Sequence, residues 1–125
     1  MTTTAKTSGK QTSHRYPRRL RILRQTDFEQ IMKRGQRVTD RRLLLRWLPN
    51  GLEYSRLGLA VGRKHGPAVR RNRIKRLLRE AFRLSQHDLP RGLDLVCIPH
   101  VGGDFTLEGC QESLAKLTAR LARRR

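Results

Sequence analysis

Apolar and polar positions alternate along this chain in blocks, and each block predicts one element. Thr26-Asp27-Phe28-Glu29 reads as a capping box, with threonine at the N-cap and glutamate three residues on. The helix it opens runs to about Arg34, buries Phe28, Ile31 and Met32, and stops at Gly35. Leu43 to Leu48 reads as a strand, closed by the turn Pro49-Asn50-Gly51. Arg56 to Gly62 reads as its partner in a hairpin, with small residues that let something pack close. After Gly66-Pro67 the apolar positions are Val69, Ile74, Leu77, Leu78, Ala81 and Phe82. From Ile74 they repeat at helical spacing, and proline suits the first helical turn. Leu93 to Ile98 is a continuous apolar run that predicts a buried strand. A Gly-rich loop from Pro99 to Phe105 leads to a last helix from about Leu107, striped by Cys110, Leu114, Leu117 and Leu121. The order predicts an α+β sandwich, helices on a small sheet.

Before these blocks, residues 1–17 are polar and read as a disordered arm, with residues 18–125 as the single folded domain. The arm turns basic from Arg15 onward. No stretch approaches the ~20 apolar residues of a membrane span, and the N-terminus lacks the apolar core of a signal peptide. The expected compartment is therefore the cytoplasm, with no membrane partner. Cys97 and Cys110 sit among apolar residues and are expected as buried reduced thiols.

Charge changes the picture most. There are 29 Lys+Arg against 10 Asp+Glu, a formal net charge of +19. Self-repulsion at that charge calls for a polyanionic partner. Arginine predominates over lysine, and its planar fork suits phosphate and bases. Between Arg63 and Arg83 the only acid is Glu80. Arg71–Lys75, Lys75–Arg79 and Arg79–Arg83 are like-charge pairs at i,i+4, a spacing that costs stability unless an anion neutralises it. Since the apolar stripe must face inward, the guanidinium groups point out. Steep salt dependence of binding is expected. No helix-turn-helix or zinc-finger spacing surrounds this helix, so structured RNA, read by shape and phosphate position, fits better than DNA.

The segment is more specific than its charge. Gly58-Leu59-Ala60-Val61-Gly62-Arg63-Lys64, Gly66, and Ala68 to Phe82 with Arg71-Asn72-Arg73-Ile74-Lys75-Arg76 closely resemble the protein subunit of bacterial ribonuclease P. The likeness extends over roughly residues 18–122. It implies a four-stranded sheet with three helices, and an unusual left-handed crossover over Leu57–Arg63, Ala68–Leu84 and Leu93–Ile98. Such crossovers are right-handed in about 98% of proteins.

The resemblance also implies a function: helping a catalytic RNA subunit, with Mg2+ bound mainly by RNA, remove the 5′ leader from precursor tRNA. Arg70, Arg71, Asn72, Arg73, Lys75, Arg76 and Arg79 match the motif that faces the catalytic RNA. Phe28 matches an aromatic lining the cleft for the single-stranded leader, on a surface separate from that motif. Met32, Arg63 and Lys64 are expected near it. Met32 stands where the family often has a second aromatic, and Pro67 where it often has asparagine. The alternative is a structural ribosomal-type protein that binds ribosomal RNA. The chain itself shows no catalytic constellation. His14, His65, His87 and His100 are scattered, Asp94 and Asp104 look isolated, and no metal-ligand spacing occurs.

Overall fold

The computed structural model describes residues 18–22 and 24–124; the arm expected over residues 1–17 lies outside them. Helix α1 spans Gln25–Arg34, α2 spans Ala68–Ser85 and α3 spans Leu107–Arg124. Strands β1 (Gln36–Thr39), β2 (Leu43–Pro49), β3 (Arg56–Leu59) and β4 (Leu93–Pro99) form a sheet in the order β1-β2-β4-β3. Only the β3–β4 pair is parallel. These neighbours are joined through α2, giving the strand–helix–strand unit the resemblance implies.

The expected hairpin between β2 and β3 does not form, because β4 lies between them. The reason is burial. Leu93, Leu95, Val96 and Cys97 are all fully buried, so β4 needs cover on both faces and a strand on each side. The short β3 takes an edge. Its outer side is not bare: Ile22 N–H donates to Leu57 O at 3.1 Å, and Arg21 bridges to Leu57. Pairing the edge backbone in this way satisfies groups that would otherwise invite another chain.

The pleat sorts the strands' side chains between two faces. Leu43, Leu45 and Trp47 of β2 join Leu93, Leu95 and Cys97 in the main core, against Ile74, Leu78, Ala81 and Phe82 of α2 and Leu114, Leu117 and Leu121 of α3. Leu44, Arg46 and Leu48 turn to the other face, where α1 lies; Arg46 Nε donates to Met32 O at 3.4 Å. Cys97 and Cys110 are buried free thiols, as expected. Burial pushes the Cys110 thiol up to about 11 and that of Cys97 further still.

Two local readings need correction. The capping box is absent: α1 starts at Gln25, and its N-cap Arg24 makes no side-chain cap bond. Strand β1, not foreseen in the sequence, is set by the turn after it. Asp40 Oδ1 accepts the N–H groups of Arg42 and Leu43, both at 2.8 Å. Burial alone would raise the Asp40 carboxyl, but these bonds, a Ser113 hydrogen bond and nearby Lys116 hold it below the usual carboxylate range.

Asp94 is also not isolated. Arg56 donates to it from Nε at 2.8 Å and from Nη2 at 2.6 Å. Asn50 Nδ2 adds a third bond at 2.9 Å, and Asp27 of α1 lies 3.6 Å from Arg56 Nη2. The Asp94 hydrogen bond, its charge and that of Asp27 outweigh burial and hold the Arg56 guanidinium above its ordinary value. One buried carboxylate thus joins the β2 turn, the β3 edge and the start of α1.

Candidate RNA interface

Helix α2 carries the basic motif because its inward stripe is fully used by the core. Ile74, Leu78, Ala81 and Phe82 are buried, and the residues between them must face away. Arg70, Asn72, Arg73 and Arg76 are exposed, while Arg71, Lys75 and Arg79 are half-buried. The helix begins after Gly66, whose φ of +111° favours glycine. A Cβ at Gly66 would also meet Arg70 Cδ at 2.9 Å.

Two arginines of the motif are held by carbonyls. Arg71 Nε donates to Gly66 O at 3.1 Å, and Arg70 Nη2 to Gly103 O at 2.9 Å. These neutral acceptors orient the guanidinium groups without cancelling their charge. Arg83 differs, because Glu80 takes it bidentately at 2.8 and 2.7 Å. The only acid of the segment thus pairs with its last arginine, and one acid cannot offset the motif's positive charge.

Two of the grooves along the motif share Arg79 and Arg21 in their linings. Asn72, Arg76 and Arg79 line one with Arg21, Glu80 and Leu107. Lys75 and Arg79 line another with Phe28, Arg21, Ile22, Leu57, Gly58 and Leu59. Phe28 is thus not on a separate surface. It packs over Gly58, where an added Cβ would lie 3.5 Å from its ring, and the missing side chain lets the ring sit close to the strand. Met32, Arg63 and Lys64 are not part of that lining. Met32 is half-buried farther along α1. Arg63 and Lys64 are exposed on a 3-10 turn, Arg63–His65, that follows β3 rather than extending it. His65 anchors the turn: Gly62 N–H donates to Nδ1 at 3.2 Å, leaving Nε2–H for Pro99 O at 2.6 Å.

Arg21 reads in the sequence only as one of the basic residues that follow Arg15, with no place in the site. It belongs to a run of arginines with no periodicity, and only its bridge to Leu57 brings it to both grooves.

The ribonuclease P family model matches residues 16–122, which takes in the whole sheet, α1, α2 and nearly all of α3. The chain belongs to the ribonuclease P protein family. The ribonuclease P protein component of Thermotoga petrophila is 44% identical over 84 residues, covering 67% of this chain and 72% of that protein. That of Erwinia tasmaniensis is 40% identical over 110 residues, covering 86% and 92%. The solved ribonuclease P protein of Thermotoga maritima superposes with a TM-score of 0.73 at 35% identity, over 80% of this chain and 96% of that one. That of Staphylococcus aureus gives 0.71 at 32%, over 83% and 95%. As a ribonuclease P protein component, the chain is a subunit of an endoribonuclease of tRNA processing. These matches lend nothing to the ribosomal-type alternative.

Proposed function

We propose that α2 docks on the catalytic RNA of ribonuclease P while the Phe28 groove holds the single-stranded 5′ leader of precursor tRNA. The observation that carries this reading is the meeting of the two grooves at Arg79. A strand leaving the RNA-bound face of α2 passes directly into a groove with an aromatic on one wall and Lys75 and Arg79 on the other. Stacking on Phe28 needs no base identity, and the cations take the backbone, so leaders of any sequence fit.

Cleavage then belongs to the RNA subunit with magnesium. Among the described residues no group of three or more His, Cys, Asp or Glu could hold a metal ion. The exposed guanidinium groups of α2 suit RNA phosphates, and the protein would arrange the phosphates that hold magnesium. The site of action would be the cytoplasm. No helix among the described residues is long and apolar enough to cross a membrane.

Reconstitution tests this reading. Protein is added to the matching catalytic RNA and to a precursor tRNA with a several-nucleotide leader, at low magnesium. Cleavage should rise, and precursor should bind more tightly than mature tRNA. Phe28→Ala should lower that preference by roughly 5- to 100-fold, the loss of one stacked base, with subunit assembly retained. No gain on adding protein would defeat the reading, and loss of folding in Phe28→Ala would make Phe28 a core residue instead.

A further inference from the structure

Nearer its start, α2 borders a further groove, which shares Leu77 with the groove at Asn72 and Arg76 and takes no part in holding the leader. Ile74, Leu77 and Phe105 form its apolar floor, and Val69, Arg70 and Arg73 stand on its rim. It has no lining residue in common with the groove at Phe28. Val69 is 83% exposed, far more than any other large apolar side chain on α2. One exposed valine is ordinary. This valine, however, lines a groove together with two arginines.

We propose that this groove receives one unstacked nucleotide of the catalytic RNA, its base against Val69 and the apolar floor and its phosphate at Arg70 and Arg73. This rests on the reading of α2 as the face that docks the catalytic RNA. Charge complementarity selects the occupant. An apolar peptide side chain would satisfy the floor and gain nothing from two guanidinium groups, whereas a nucleotide uses both. Arg70 and Arg73, three apart, share one side of the helix. Arg70 is already steadied by Gly103 O. The carboxylate of Asp104 lies on the lining and can accept from an exocyclic amino group of the base. Folded RNAs present such unstacked bases at bulges and junctions, and proteins read them by apolar contact and edge hydrogen bonds. The leader is the wrong source, because its groove, between Phe28, β3 and the Lys75–Arg79 side of α2, shares no residue with this one.

Two neutral variants test the proposal, Val69→Asn and Val69→Leu, with the wild-type full chain measured alongside. Val69 lies outside the core, so matched thermal melts are expected for all three. Binding to the catalytic RNA is measured across a salt series. Val69→Asn should weaken it roughly tenfold at every salt concentration, with the salt slope unchanged because no phosphate contact is lost. Val69→Leu should bind like wild type. Base-specific chemical probing should show one base of the catalytic RNA protected by wild type and re-exposed by Val69→Asn. Equal binding by Val69→Asn and wild type overturns the proposal and leaves the role of α2 standing. A loss seen only with leader-bearing precursor tRNA also overturns it. Failure of wild type to bind the catalytic RNA would instead overturn the reading of α2, and the proposal with it.

Discussion

Alanine at Arg73, Arg76 and Arg79 together is expected to weaken binding to the catalytic RNA by roughly 10²–10³-fold at moderate salt. The salt slope should fall by about two to three in log–log units, near one for each phosphate contact removed. The three residues span two turns of α2, which matches spaced phosphates better than a single anion. The helix should survive, since alanine is the best helix former and the substitutions relieve like-charge pairs. Binding isotherms from low to moderate salt, with far-UV circular dichroism as the fold control, provide the check. An unchanged slope would mean that the phosphates lie elsewhere, and the reading of α2 would fail.

The largest stability effect is expected at Asp94. Asp94→Ala removes the bidentate partner of Arg56 and leaves that guanidinium half-buried beside Asp27 alone. Breaking a buried pair from one side costs about 3 kcal/mol, because the remaining charge stays desolvated. For a domain of this size that lowers the melting temperature by roughly 10 °C. The double variant Asp94→Leu with Arg56→Met should recover most of the loss, since replacing both partners with apolar groups is often neutral. Thermal melts of the two variants and wild type decide the point. If Asp94→Ala melts like wild type, the junction of β2, β3 and α1 does not depend on this pair.

Much of the fold was legible in local pattern. The stripe from Ile74 to Phe82 predicted α2 and its inward face, because helical spacing and burial are local properties. The run from Leu93 to Ile98 predicted a buried strand for the same reason. Strand order was not legible, since pairing joins residues far apart in sequence. A turn at Asn50 suggested β2 with β3, yet β4, the most apolar strand, took the centre. β1 was missed because Gln36-Arg37-Val38-Thr39 buries one side chain, and its pairing rests on Asp40 holding the turn. The capping box misled because a Thr-x-x-Glu pattern is only an option for a helix start. Asp94 looked isolated because its partner Arg56 lies on another strand.

The same division holds for the candidate site. The sequence by itself determined that Arg70 to Arg79 present positive charge outward, since helical periodicity turns the apolar stripe inward, and that charge made a polyanionic partner the expectation. Its resemblance to ribonuclease P proteins named the family before any coordinates did. Only the tertiary structure decided that Phe28 from α1, Arg21 from the segment before it and Arg79 from α2 border a continuous surface. It also decided that Val69 and Phe105 share a second groove. Both follow from the crossover that stacks α2 beside the β3 edge and α3: contacts across a sheet depend on which strand lies next to which, and no local periodicity encodes that.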